Sequence, residues 1–377
     1  MKLVHLSDLH LGKRVNEFPM IEEQRFILEQ ILDIIDEEAP DGVIIAGDVY
    51  DKTVPSTDAV KLFDDFLVRL AGMKEQVFVI SGNHDSPERI AFGGRLMDVS
   101  GIHLSPVYDG AVKPISLTDG YGECRFYLLP FIRPANVRAA FPDEGVASYT
   151  DAIRVAVDHM QIDPSVRNVL VTHQFVTGGQ RCDSEDISVG GTDNVDASIF
   201  EPFDYVALGH LHGPQNVGKG IRYCGTPLKY SFSEKDHKKS VTVVELGEKG
   251  GLEVRERLLH PRHDLRELRG TYDQLTLKSN YEGADRDDYL HIVLTDEEDV
   301  PDAVARLRVI YPNLMKLDYD NTRTRTDPMI VEAGIAERKS ELDWLDELYE
   351  KQNGKPMSDV QRQFSEGLFK RLKEGEA

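Results

Sequence analysis

The chain has 377 residues, enough for one large domain with one or two small appendages. Hydrophobic residues make up 40% and charged residues 29%, and no apolar run approaches the roughly 18 residues needed to cross a bilayer, so the composition reads as a soluble globular protein with no membrane partner. The formal net charge of -22 argues against strong solitary binding to nucleic acid, where counterion release requires a basic face, but leaves room for a local basic groove or for a partner that supplies one.

Met1 to His10 lacks the basic region and apolar core of a removable leader, and Leu3 to Leu6 reads as a strand followed at once by Asp8 and His10. Ile27, Ile31, Ile34 and Ile35 then recur at helical spacing and predict a core-facing helix. A second strand, Val43 to Ile45, runs into Gly47, Asp48 and Asp51. It is followed by another helical stripe of Leu62, Phe63, Phe66, Leu67 and Leu70. The third strand, Val77 to Ile80, leads to Gly82, Asn83, His84 and Asp85. The fourth, Val169 to Val171, leads to His173, and the fifth, Tyr205 to Leu208, to Gly209, His210 and His212. This alternation predicts an α/β layered domain.

From about Leu265 the pattern changes. Tyr289 to Leu294 and Leu314 to Tyr319 read as strands around a helix, Pro301 to Ile310, with Ala303, Val304, Leu307 and Ile310 inward, which makes a small α/β unit. A polar connector spans Asn321 to Asp327. Two capped helices follow, Ser340 to Asn353 ending at Gly354, and Ser358 to about Lys373 with Gln361 completing a capping box. The expected divisions are 1–264, 265–335 and 336–377. Cys124, Cys182 and Cys224 form no close pair, so neither disulfides nor a thiolate zinc site is expected and the reducing cytoplasm is the expected compartment. Cys124 and Cys224 read as small buried side chains.

Each of the five strands is followed by metal-ligand residue types. The carboxyl ends of strands in an α/β sheet form one rim, so five separated clusters become one expected site. In Asp8 with His10, and in His210 with His212, the i, i+2 spacing sets both members on one side of extended chain. Glycines beside these residues suit turns where backbone approaches ions closely. Mixed imidazole, carboxylate and amide-oxygen donors suit Mn, Fe or Zn rather than a calcium cage.

The series D-x-H (Asp8, His10), G-D-x-x-D (Gly47 to Asp51), G-N-H-D (Gly82 to Asp85), His173 and G-H-x-H (Gly209 to His212) resembles the calcineurin-like metallophosphoesterases. The resemblance implies a layered β-sandwich flanked by helices and two metal ions, Mn foremost with Fe, Zn or Mg as alternatives. It implies that Asp8, His10 and His212 hold one ion, that Asn83, His173 and His210 hold the other, and that Asp48 bridges them. His84, paired with Asp85, would stand over the phosphate as the catalytic group.

Longer runs resemble the nuclease branch of that family: Ala46 to Ser56, Val189 to Gly191, Tyr205 to His212 and Tyr223 to Ser231. Weaker similarities continue through Leu294 to Glu297, Tyr311 to Asn313, and Tyr349 to Pro356 with Gln361, so nearly the whole chain is covered. This resemblance implies a Mn-dependent double-strand exonuclease and single-strand or hairpin endonuclease that processes DNA ends with an SMC-like ATPase partner. It also implies a homodimer within a heterotetramer, a capping role for the small α/β unit, and ATPase binding by the C-terminal helices. Cys224-Gly225-Thr226-Pro227 stands where such chains commonly carry Ser-Gly-Ser-Pro, so the hydroxyl contacts of a phosphate-facing turn are expected to differ. A protein phosphatase of the same fold would carry Arg-Gly where this chain has Lys52-Thr53, a small cyclic phosphodiesterase would lack the C-terminal unit, and a non-catalytic scaffold would have lost ligands.

Overall fold

Apolar side chains point to both faces of the central strands, so the strands must be covered on both sides. The computed structural model, which describes residues 1–185, 194–322, 324, 341–353 and 356–374, meets that requirement with two stacked sheets between helices. The five predicted strands appear as Lys2–Leu6 (β1), Gly42–Ala46 (β2), Gln76–Ile80 (β3), Arg167–His173 (β7) and Tyr205–Gly209 (β8). Besides a short hairpin of Arg14–Val15 with Phe18–Pro19, the strands not read from the sequence are Ile102–Leu104 (β4), Ile115–Asp119 (β5), Gly122–Leu129 (β6), Gln215–Gly218 (β9), Ile221–Tyr223 (β10), Ser240–Leu246 (β11), Leu252–Leu258 (β12) and Leu265–Gly270 (β13). The two predicted in the small unit are Tyr289–Leu294 (β14) and Leu314–Tyr319 (β15).

One sheet runs β12-β11-β1-β2-β3-β4 and the other β9-β10-β8-β7-β6-β5, while β13-β14-β15 form a third. The neighbours β1, β2, β3 and β4 are parallel, as are β6, β7, β8 and β10; the outer strands pair antiparallel. The ligand-bearing strands therefore divide between two sheets, β1 to β3 in one and β7 with β8 in the other. The single rim expected from the sequence is built from two rims that meet.

Period-2 alternation sorts the core. Leu3, Ile44, Phe78 and Ile80 face Phe126, Leu128, Val169, Val171 and Ala207 of the opposite sheet, with the Phe78 and Phe126 rings stacked 4.3 Å apart. Val4, Leu6, Val43, Ile45, Val77 and Val79 point the other way, onto the stripes of Ile21–Glu38 (α1) and Thr57–Met73 (α2). Leu170, Val206 and Leu208 pack outward against Ile153, Ala156 and Val157 of Tyr149–Asp158 (α3). Each such buried side chain contributes about 1.5–3 kcal/mol relative to exposure. Ser56 caps α2 by accepting from the Ala59 N–H at 3.2 Å, and Ser148 with Asp151 forms a capping box on α3.

The chain divides into two compact units, Met1–Val293 with Pro301–Asp318, and Leu294–Val300 with Tyr319–Ala377. The helix of the small α/β unit, Ala303–Arg308 (α4), buries Ala303 and Leu307, but Val304, expected inward, is exposed. Of the polar connector only Asn321, Thr322 and Thr324 are described. The two C-terminal helices are Glu341–Asn353 (α5) and Asp359–Glu374 (α6). Ser358 and Gln361 make the expected reciprocal cap, with Ser358 N–H donating to Gln361 Oε1 at 3.0 Å, whereas the predicted terminal residues Ser340 and Gly354 lie outside the described residues. Among the described residues no helix is long and apolar enough to cross a membrane.

Candidate metal centre

The two rims come together because backbone replaces side chain where they touch. A Cβ on Gly209 at the end of β8 would lie 2.0 Å from the Ala46 carbonyl oxygen of β2, and one on Gly82 would lie 2.1 Å from Asp48 Oδ1, so only glycine fits either place. Within the first sheet the loops are tied by main-chain bonds, Asp8 N–H donating to the Gly47 carbonyl at 3.0 Å and His10 N–H to the Asp48 carbonyl at 2.9 Å, and across the seam His210 N–H donates to Asp8 Oδ1 at 3.0 Å.

Asp8, His10, Asp48 and His210 all adopt positive φ (52°, 44°, 46° and 106°) although none is glycine. Such backbone costs of order 1–3 kcal/mol per residue and is held by its surroundings. It turns each side chain off the strand direction and into the space between the rims. The result gathers all seven predicted ligands in one pocket. His10 Nε2 and His212 Nε2 face each other at 3.2 Å, with Asp8 able to share one ion with them. Asn83 Oδ1 lies 2.9 Å from His173 Nε2 and 3.0 Å from His210 Nδ1. Asp48 Oδ2 sits between the groups, 3.3 Å from His173 Nε2 and 3.7 Å from His10 Nε2.

All these residues are buried except Asn83, which is half-buried. Burial raises Asp8 to about 6, with Asp48 adding to the rise and His173 opposing it. Burial also works against ionised Asp48, but His173, His10 and His84 outweigh it and hold the carboxylate below its usual range. Burial opposes charge on His173 as well, yet Asp48 and Asp8 raise it to about 9; burial, then His173, lowers His210 to about 3. Burial likewise keeps His10 well below its ordinary value. A pocket whose acids and imidazoles shift this far while their lone pairs converge fits two divalent cations, which would take the place of the shared protons. His173 Nδ1 donates to the Ala46 carbonyl at 2.9 Å, which leaves the Nε2 lone pair to face an ion.

His84 lies at the edge of this set. Its N–H donates to Asp48 Oδ1 at 2.9 Å, its Nε2 is 3.9 Å from Asp48 Oδ2, and its ring stands edge-on to His10 at 4.9 Å. The expected His84–Asp85 pair is not formed. Asp85 turns inward and accepts the N–H groups of Val49, Tyr50 and Gly82 at 2.9–3.1 Å, bracing two ligand loops, while His84 Nδ1 is held by the Asp51 carbonyl at 3.1 Å. Adjacent residues on a tight turn point apart, which the one-letter adjacency of His and Asp conceals. Burial and then Asp48 push Asp85 up to about 7 despite its three amides. Asp51, close to the site in sequence, instead pairs with Lys13 at 2.8 Å.

The Cys224–Pro227 turn also differs from expectation. Cys224 is buried with its thiol on the His5 carbonyl at 2.9 Å, and Thr226 Oγ1 donates to the Leu228 carbonyl at 2.7 Å, so neither side chain faces a phosphate. Val189 to Gly191 lie outside the described residues. Sequence reasoning missed Ser184, Glu185, Glu234 and Lys239, which surround His212. An acid in the helical turn Phe232–Glu234 reads as an ordinary surface residue, and only its complete burial marks it.

Residues 1–214 match the family described as calcineurin-like phosphoesterase, and residues 261–353 match the one described as type 5 capsule protein repressor C-terminal domain. The chain is 32% identical over 322 residues to the SbcD subunit of the nuclease SbcCD from Staphylococcus epidermidis, a similarity covering 84% of this chain and 85% of that protein. Among solved structures, a dimetal phosphatase from Danio rerio is 12% identical, with a TM-score of 0.41 over 68% of this chain and 96% of that one.

The position of Asp48 between the two donor groups generates a test. Asp48→Asn is expected to lower occupancy of both metal sites, whereas Asp8→Asn weakens chiefly one. Metal analysis of the purified variants decides it, and two full sites in Asp48→Asn would exclude a bridging carboxylate.

Proposed function

The chain belongs to the calcineurin-like phosphoesterases, in the branch of the SbcD nucleases, and from that premise we propose how it cuts DNA and what it assembles with. It is a metal-dependent phosphodiesterase, a DNA nuclease that works with the ATPase SbcC in DNA end processing. The proposed metal is Mn, and the proposed activities are double-strand exonuclease and single-strand or hairpin endonuclease, exercised in the cytoplasm. The observation that carries the reading is the convergence of seven donors from five strand ends, with Asp48 between two triads. We assign Asp8, His10 and His212 to one ion, Asn83, His173 and His210 to the other, and Asp48 to both. Such ions, when bound, neutralise phosphate charge and lower the pKa of a bound water.

The protein supplies position and a proton. With Nδ1 donating to the Asp51 carbonyl, His84 directs Nε2 toward the pocket, where a protonated ring can deliver its proton to the leaving oxygen. Asp85 serves this arrangement by holding the loops and is not a partner of the imidazole. Beside the centre a cleft of about 590 Å³ is lined by Lys13, Arg14, Lys235, His291 and Lys316, with Asp183 and Glu267 as its acids. Lys13, Lys235 and Lys316 are paired with Asp51, Glu267 and Asp318 at 2.6–3.0 Å, so a phosphate backbone entering this cleft would exchange for those carboxylates.

Two apolar surfaces suit partners. Phe92, Leu96 and Val99, spaced by four and three residues in the helical turns after Asp85, are each more than 80% exposed and suit a homodimer interface. On α5 and α6, Trp344, Leu348, Val360, Phe364 and Leu368 are exposed while Leu342, Leu345 and Tyr349 are half-buried, an arrangement that suits the base of the SbcC coiled coil. The segments 1–264, 265–335 and 336–377 would then serve as nuclease, cap and ATPase-binding element, and a dimer of this chain would join SbcC in a heterotetramer.

Three outcomes are expected. With Mn, the wild-type protein cleaves a labelled duplex, and His84→Gln keeps both metals but cleaves about 10²–10⁴-fold more slowly, losing less on a nitrophenyl phosphodiester whose leaving group needs little protonation. Loss of metal, or equal slowing of both substrates, removes His84 from the acid role. Leu96→Glu is expected to halve the mass seen by light scattering without reducing diester hydrolysis, and a dimer of unchanged mass places the interface elsewhere. Removal of residues 340–377 is expected to abolish co-purification with SbcC while Mn-dependent diester hydrolysis persists; full binding by the truncated chain rules the helices out.

A further inference from the structure

Among the imidazoles of the metal centre, His212 is held differently. His173 gives its second ring nitrogen to a backbone carbonyl, and His10 Nδ1 is buried with no hydrogen-bond partner among the described residues. His212 Nδ1 lies 2.7 Å from Ser184 Oγ, which in turn donates to Glu234 Oε1 at 2.5 Å; Glu234 Oε1 is itself 3.4 Å from the ring nitrogen. Glu234 has no exposed surface and its other oxygen is paired with the buried ammonium of Lys239.

The same groups clamp the main chain of His212. Its N–H donates to Glu185 Oε1 at 2.6 Å, and its carbonyl accepts from Lys239 Nζ at 2.9 Å and from the Thr226 N–H at 3.2 Å. Lys239 also donates to Thr226 Oγ1 at 2.6 Å. A buried carboxylate and ammonium cost several kcal/mol each to desolvate, and a hydrophobic pair of the same volume is often as stable. Fold stability alone therefore gives no reason for charges here, while orientation of the ring does.

The direction of the chain of bonds is set by its end. Glu234, already joined to Lys239, accepts; Ser184 has one proton and must give it to Glu234; Ser184 Oγ then accepts from His212 Nδ1–H. The ring is left with its lone pair on Nε2, the atom that faces His10 Nε2 at 3.2 Å. A carboxylate behind a ligating imidazole fixes its tautomer and strengthens it as a donor.

We propose that Glu234, acting through Ser184, is a positioning residue that selects the metal-binding tautomer of His212 and thereby sets the affinity of the site shared by Asp8, His10 and His212. The inference rests on the dimetal assignment of those residues. Lys239 keeps Glu234 in its accepting state and anchors the His212 carbonyl, so ring and backbone are oriented by one pair of charges.

The test is calorimetric titration of metal-free full-length protein with Mn, beside the melting temperature and the Mn dependence of duplex cleavage. The variants are Ser184→Ala, Ser184→Thr, and Glu234→Gln combined with Lys239→Met, which avoids stranding the ammonium. In Ser184→Ala and the double variant one of two Mn sites is expected to weaken about 10–100-fold while the other stays within about twofold, and cleavage recovers at saturating Mn. Ser184→Thr, which retains the hydroxyl, is expected to bind as wild type. Two wild-type sites in Ser184→Ala, equal weakening of both sites, or a threonine variant as weak as alanine overturns the proposal. If the double variant fails to fold, Ser184→Ala decides alone. A wild-type protein that takes up no Mn would instead overturn the Mn assignment on which this inference stands.

Discussion

The closeness of β2 to β8 at their carboxyl ends governs the rest of the structure. Ala46 and Gly209 approach so nearly that no side chain fits between them, and this approach joins two sheets that otherwise meet through a layer of Phe, Ile and Val. Because the rims touch there, Asp8 reaches the His210 amide, His173 reaches the Ala46 carbonyl, and Asp48 lies within reach of donors from both sheets. A wider gap would separate Asp8, His10, Asp48 and Asn83 of one sheet from His173, His210 and His212 of the other.

That closeness concentrates charge. Three carboxylates, Asp8, Asp48 and Asp85, are buried within one small region, and their pKa values diverge according to what faces them. Asp48 is surrounded by imidazoles and stays ionised. Asp85, with only amides for partners and Asp48 nearby, moves the other way. The positive φ angles at four of the candidate ligand positions are the conformational cost of aiming side chains into the seam, and the Gly47 and Asp48 carbonyls and the Asp8 carboxylate hold them. Asp85 is a motif residue whose carboxylate is spent on the backbone of the loops around the site.

Charge also separates the tasks of the molecule. An excess of 22 negative charges makes most of the surface repel a phosphate backbone, and the cleft with Lys13, Arg14, Lys235 and Lys316 is where cations gather beside the candidate ligand loops. The exposed apolar side chains after Asp85 and along α5 and α6 are large and recur at helical spacing, the kind of surface that marks interaction sites.

Much of this was written in the chain locally. Strand cores declare themselves by β-branched runs, helices α1 and α2 by their stripes, and all seven candidate ligands by falling at or just after strand ends, because a parallel strand's carboxyl end is where the chain must turn and where donors can face inward. Local signals did not reveal the antiparallel edge strands such as Gln215–Gly218 and Leu252–Leu258, whose half-exposed residues lack a continuous apolar run. Nor could they reveal partners distant in sequence. The division of ligands between two sheets, the turning of Asp85 away from His84, the inward Cys224, and the Ser184–Glu234–Lys239 support of His212 all arise where segments tens to hundreds of residues apart are packed together. Residue type and spacing determine which atoms can bind an ion; only packing decides which way each side chain turns and what stands behind it, since hydrogen-bond direction and burial are properties of the assembled interior.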